Sequence, residues 1–213
     1  MRKKLLLAAA LIAGVASGAA AQEPIKFGVR AGLNVDNMSK DMELDSKIGF
    51  HLGAFADVPL QKLAPTAPEW LYGQVGLFLS TKGGKNEEKK GAKTYTYAVS
   101  MYYIEIPITA SAKFTLTDDI NLRLNFGPNL GFGVSGTYEH PDYSDPDKQA
   151  ETKVFDKKGM DGSSFRFGLD FGGGIEYKQI YVGLNYDLGL TNIFDGKGDS
   201  KVSSFGISVG YKF

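Results

Sequence analysis

The sequence contains no cysteine, only two histidines and, beyond residue 21, no apolar stretch long enough to cross a bilayer as a helix. Without thiols, a disulfide framework and thiolate metal sites are excluded. The missing long runs exclude helical membrane topology, yet they leave open strands that are apolar only at alternate positions. Charge of one sign is lacking too. Lys plus Arg and Asp plus Glu number 24 each, so no basic surplus exists for nucleic acid, which is not an expected partner.

The first 21 residues carry an address. Arg2, Lys3 and Lys4 precede the apolar run from Leu5 to Val15, and Ala19-Ala20-Ala21 before Gln22 fits a small-residue cleavage site. This is the pattern of a cleaved secretory signal, and the run is too short to span a membrane. The expected division is a signal peptide over 1–21 and one domain over 22–213. Losing the three basic residues leaves 21 basic against 24 acidic side chains, a net charge of −3.

Eight segments then alternate. Ile25, Phe27, Val29, Ala31, Leu33 and Val35 share a face opposite Lys26, Gly28, Arg30, Gly32, Asn34 and Asp36. The same parity runs through 47–57, with Phe55 on the less apolar side, and through 71–81, 102–114, 120–134, 165–177 and 180–190. It ends with Phe205, Ile207, Val209, Tyr211 and Phe213 opposite Ser204, Gly206, Ser208, Gly210 and Lys212. Pro107 within 102–114 cannot donate to a ladder, so a bulge or local irregularity is expected there. Each segment has the ~9 to 11 residues of a tilted membrane strand.

The connections alternate between long polar loops and tight turns at Thr117-Asp118-Asp119 and Lys178-Gln179, the turns being expected on the periplasmic side. The exception is 59–70, whose Pro59, Pro65 and Pro68 suggest a stiff excursion. The expected fold is all-β: an eight-stranded antiparallel up-and-down transmembrane β-barrel, monomeric, with aromatics such as Phe27, Phe114, Tyr177, Tyr211 and Phe213 at the interface. A soluble ligand-binding barrel would seal Arg30, Arg123, Arg166, Asp170 and Asp187 beneath an exposed Phe/Leu/Ile skin.

Local strings carry a resemblance. Pro68-Glu69-Trp70-Leu71-Tyr72-Gly73, Tyr103-Ile104-Glu105-Ile106-Pro107-Ile108, Phe126-Gly127-Pro128-Asn129, Gly189-Leu190-Thr191-Asn192-Ile193 and the terminal Gly210-Tyr211-Lys212-Phe213 run in order along the chain. Together they resemble the PorT-like, OmpX-like outer-membrane β-barrel family of Bacteroidota. The resemblance implies a Gram-negative outer-membrane location among outer-membrane lipid, with no catalytic motif to carry over. It also implies that Tyr211 and Phe213 belong to a signal read by the barrel-insertion machinery, and a surface or secretion partner would follow from the namesake.

Candidate chemistry lies on the inward parity. Arg30, Arg123 and Arg166 face in with Glu105, Asp170, Glu176 and Asp187, which predicts a network of salt bridges that plugs a narrow lumen. Asp170 and Asp187 are expected at one level on neighbouring strands, with Arg30 or Arg166 reaching them. The expected function is a non-enzymatic membrane protein whose surface loops serve interaction, envelope integrity or secretion; a narrow solute pore and a barrel-borne lipid hydrolase are the alternatives. His51 with a nearby Ser would serve the last, although a hydrogen-bonding role is the plainer one. Asp142, Asp145, Asp147 and Glu151 lack the Gly-centred spacing of a calcium loop, and no metal or cofactor is expected. Gly172-Gly173-Gly174 suggests sharp curvature or close packing rather than a phosphate cradle.

Overall fold

The computed structural model describes residues 24–39, 44–90, 93–141, 149–194 and 198–213. The expected signal peptide lies outside them, as do Asp142, Asp145 and Asp147. Nine strands follow: β1 (Lys26–Met38), β2 (Asp45–Pro59), β3 (Leu71–Lys90), β4 (Lys93–Thr115), β5 (Ile120–Pro141), β6 (Gln149–Lys153), β7 (Phe165–Tyr177), β8 (Ile180–Gly189) and β9 (Val202–Lys212). All pairings are antiparallel. The order β4-β3-β2-β1-β9-β8-β7-β5 is closed by β4 on β5, so eight strands form a ring with no open edge. The short β6, unforeseen in the sequence, pairs with β5 beyond the ring.

Alternation decides which side faces out. Leu33, Leu52, Leu124, Leu184, Ile207 and Val209 stand on the outer surface, while Asn34, Ser80, Arg123, Asn129, Arg166 and Ser208 are buried within. A water-soluble barrel would pay for that skin, whereas hydrocarbon accepts it and requires the closed ladder. At the turn end Phe27, Phe114, Tyr177, Tyr211 and Phe213 are all exposed, and Trp70 stacks on Phe114 with centroids 5.8 Å apart.

Four features correct or sharpen the sequence reading. Strands β3, β4 and β5 run well past 71–81, 102–114 and 120–134, into hairpin arms above the apolar band. Pro107 stays in register with Asn129; the β4–β5 shift falls between Tyr102 and Tyr103, where Val134 of β5 is left over and points outward. Pro107 has no N–H to give, and the β3–β4 pairing breaks off between Val75–Ile108 and Phe78–Glu105 and resumes in the same register, so the irregularity at the proline is a gap rather than a bulge. The proline-containing segment is a chain of small turns: a 3₁₀ turn at Leu60–Lys62 followed by Ala67 N–H to Ala64 O and Leu71 N–H to Pro68 O bonds. Of the three consecutive glycines only Gly174 is indispensable to packing, because an added Cβ would lie 2.5 Å from the Val182 carbonyl.

The loop end has its own small core. Met38, Val99, Met101, Tyr103, Val154, Ile193, Phe194 and Val202 are buried together, with Phe155 edge-on to Tyr103. It roofs the barrel where the strands leave the apolar band.

Candidate functional site in the barrel lumen

Two knots of charge cross the lumen at different heights. Near the turn end, Arg123 Nη1 lies 2.7 Å from Asp57 Oδ2 and 3.2 Å from Glu176 Oε2. Lys212 Nζ contacts both carboxylates, at 2.7 Å from Asp57 and more closely still at Glu176. Gln74 donates to the other Asp57 oxygen at 2.7 Å, and Arg123 also donates to Ser111. Two cations face two carboxylates, with Arg123 only 2 % exposed.

Towards the loop end, Asp187 Oδ2 accepts from Lys82 at 2.8 Å and meets Arg166 Nη1 at 2.9 Å. Glu105 Oε1 lies 3.3 Å from Lys82 and 3.5 Å from Arg166. Arg166, 1 % exposed, also donates to the Val202 carbonyl at 2.9 Å. Asp36 accepts from Ser204 at 2.6 Å.

A chamber of about 70 Å³ lies between the knots. Ser80 Oγ, Thr109 Oγ1, Asn125 Oδ1, Asn129 Oδ1 and Arg30 Nε on its wall have no hydrogen-bond partner among protein groups. A polar chamber of that size has room for a few waters, the partners such groups require.

The sequence-predicted residues divide accordingly. Glu105, Arg166 and Asp187 meet in one knot, and Arg123 and Glu176 in the other. Asp170 is the direct cross-strand partner of Asp187, and Arg166 reaches that pair through Asp187. Asp170 itself receives only a 3.5 Å bond from Asn129. Arg30 does not reach the pair. Its Nη2 donates to Gln74 at 3.1 Å, and its guanidinium sits 4.8 Å from the Phe55 ring centroid and 4.9 Å from that of Tyr181. Inward Phe55, the exception to parity in its segment, is the platform that takes Arg30 away.

Lys82, Asp57, Lys212 and Asp36 were missed. Asp57, Lys212 and Asp36 stood on the inward parity, which signals burial, whereas Lys82 lay one residue beyond the recognised segment. Which cation crosses to which acid depends on strand stagger, which parity does not encode.

His51 is held at both nitrogens, Nδ1 2.6 Å from Asn34 Oδ1 and Nε2 2.9 Å from Ser208 Oγ. Asn34 Nδ2 donates to the Thr81 carbonyl at 3.2 Å, which turns Asn34 Oδ1 towards the ring. Nδ1 therefore carries the proton and Nε2 accepts from Ser208. Ser208 also approaches Asn185 Oδ1 at 2.7 Å, so one hydroxyl proton serves two acceptors. His140 ties β5 to β6 through Thr152 Oγ1 at 3.1 Å. Glu151 sits across from Glu139, and no group of three His, Cys, Asp or Glu side chains gathers as a metal site among the described residues.

Tyr211 and Phe213 meet edge to face at 5.4 Å, and Phe213 N–H donates to the Phe27 carbonyl at 2.9 Å. The last residue thus closes against the first strand.

No curated protein matches the chain. Among solved structures it is similar to Ail, the attachment invasion locus protein of Yersinia pestis, in complex with the heparin analogue sucrose octasulfate. That likeness has 11% identity and a TM-score of 0.42 over 89% of this chain and 99% of that one. It is also similar to Neisserial surface protein A, at 13% identity and a TM-score of 0.45 over 89% and 97%. The family model for the outer membrane protein beta-barrel domain matches residues 20–195, most of the sequence and nearly every strand described above. The chain, with its lipid-facing skin and closed eight-stranded ring, belongs to that outer membrane protein beta-barrel domain family.

Proposed function

We propose that this outer-membrane barrel is a non-enzymatic, non-conducting, monomeric component that works through its loop end, towards a surface partner or as an accessory to envelope integrity or protein secretion. The observation that supports it is the double closure of the lumen by the Arg123 and Arg166 knots. A conducting path would have to separate buried ion pairs at two heights, and parting one such pair costs about 3–5 kcal/mol. In this reading the tight turns, the start of β1 and the end of β9 lie at the periplasmic end, and the roofed loop end is outside. The secretion role and the PorT-like branch rest on the strings around Trp70, Pro107 and Pro128. Recognition of Phe213 by the insertion machinery rests on the same resemblance, and slower membrane assembly of Phe213→Ala is its expected sign.

Single-channel recording in planar bilayers tests the closure. The unaltered barrel should be silent, and an Arg123→Ala/Arg166→Ala double variant should give steps. Stable ohmic steps from the unaltered barrel would replace this reading with that of a narrow solute pore.

The hydrolase reading draws on one observation, the alignment of Ser208, His51 and Asn34 in the order nucleophile, base and orienting group. Against it, Ser208 is 3 % exposed and its chamber has no room for an ester. A fluorophosphonate probe should leave the folded barrel unlabelled; labelling lost in Ser208→Ala would favour the hydrolase.

A further inference from the structure

The seam between β2 and β3 opens on the loop-end side of His51. The ladder pairs Asp45 with Lys85 and Ser46 with Gly84, then resumes only at His51 with Ser80. Residues 47–50 face residues 81–83 without regular pairing. Polar patches bridge the interval in part: Phe50 N–H donates to Thr81 Oγ1 at 2.8 Å, and Asn34 reaches the Thr81 carbonyl from the lumen.

The interval is a cleft of about 310 Å³, more than four times the lumen chamber. It falls at the lower end of the ~300–1,000 Å³ typical of ligand pockets. Its walls differ in chemistry. Leu33, Ile48, Phe50 and Tyr102 form the outer, apolar side, continuous with the membrane-facing skin, and Ile48 is 76 % exposed. Lys47 stands on the inner side. Its ammonium contacts Ser100 Oγ and lies 3.5 Å from the Val99 carbonyl, with no carboxylate in salt-bridge range among the described residues. Asp36, opposite Lys47 in the β1–β2 register, also lines the cleft; one of its oxygens accepts from Ser204, and it stands outside salt-bridge range of Lys47. Lys82, at the back of the cleft, is committed to Asp187 and Glu105.

We propose that this cleft holds one anionic lipid of the surrounding leaflet, its acyl chain along Leu33, Ile48 and Phe50 and its headgroup on Lys47. The occupant follows from where the opening lies. Its apolar wall faces hydrocarbon, so the molecule with access is one already in the bilayer. Phe50 N–H and the Phe50 and Thr81 carbonyls find side-chain partners in Thr81 and Asn34, which lets the seam stay open inside the apolar band. The Lys47 ammonium has no salt-bridge partner among the described residues, and the donor that Ser100 and Val99 leave over suits a phosphate oxygen.

The test uses the folded barrel in detergent, incubated with vesicles of phosphatidylglycerol or of phosphatidylcholine and read by native mass spectrometry. Heat-modifiable gel mobility verifies folding. The unaltered barrel should retain one phosphatidylglycerol, favoured at least about tenfold over phosphatidylcholine, the factor expected for one charge-assisted hydrogen bond. Lys47→Gln should abolish the preference, and Phe50→Trp, which fills the apolar side, should abolish retention of both lipids. Leu184→Trp, outward on β8 across the ring, should behave as the unaltered barrel. No stoichiometric lipid, equal retention of the two lipids, or retention unchanged in Phe50→Trp would overturn the proposal. The lipid comparison on the unaltered barrel decides even if Lys47→Gln does not fold.

Discussion

The two charge knots of the lumen are built from the same kinds of group and differ in completeness. At the turn end, Asp57 and Glu176 are gripped by Arg123 and Lys212, with Gln74 and Ser111 taking up further bonding capacity. None of these side chains has a buried polar atom left without a partner. The loop-side knot leaves Glu105 Oε1, Asp187 Oδ1 and Arg166 Nε without a hydrogen-bond partner among protein groups, and Asp170 stands beside it with no salt bridge of its own among the described residues. The first is a closed floor. The second borders the water chamber and the β2–β3 cleft, and water can compensate a lost partner there.

That contrast is open to attack by substitution. Arg123→Met should have the largest effect, lowering unfolding free energy by about 3–5 kcal/mol because Asp57 and Glu176 are left with Lys212 alone. The urea midpoint of the barrel in micelles reads it. Asp187→Asn should cost less, about 2 kcal/mol, since Lys82 and Arg166 keep Glu105 and gain access to water. If Asp187→Asn proves the more damaging of the two, the floor is not the firmer knot.

Glycines sharpen the comparison at smaller scale. Gly174→Ala, beside the floor, drives its methyl into backbone of β8 and should cost about 1 kcal/mol or more in the same assay. Gly172→Ala, at chamber level, meets its nearest atom at 3.4 Å and should stay within about 0.5 kcal/mol. The smallest effect is expected in the turn below the floor. Lys178 there has φ 53°, a conformation glycine adopts without Cβ strain. Lys178→Gly should gain a few tenths of a kcal/mol net of its own chain entropy, and a clear loss would assign real weight to the Lys178–Asp119 contact at 3.7 Å.

Much of the ring was legible because lipid on one side and a polar lumen on the other force strict alternation. β1, β7, β8 and β9 match their sequence segments within a few residues for that reason. The rule lapses above the apolar band. In Lys85-Asn86-Glu87-Glu88-Lys89 both faces of β3 are free to be polar, so the arm continued where parity had nothing to report. The same lapse hid Lys82. Arg30 shows another limit: its inward direction was readable, but its choice of Phe55 and Tyr181 over an acid depends on which side chains share its height across the lumen. His51 and Ser208, far apart in sequence, meet only because β1 lies between β2 and β9 in the ring.

The bond from Phe213 to Phe27 has a consequence in time. Every other seam of the ring joins strands that are consecutive or separated only by the short β6, so those hairpins can form as soon as both arms exist. The β1–β9 seam unites the two extremes of the chain and pays the largest loop-closure entropy. Until it zips, β1 and β9 present unpaired edges beside an apolar skin, the state most prone to aggregate. On loop-closure entropy the β1–β9 seam is expected to pair last, and the bond from Phe213 to Phe27 belongs to that final step.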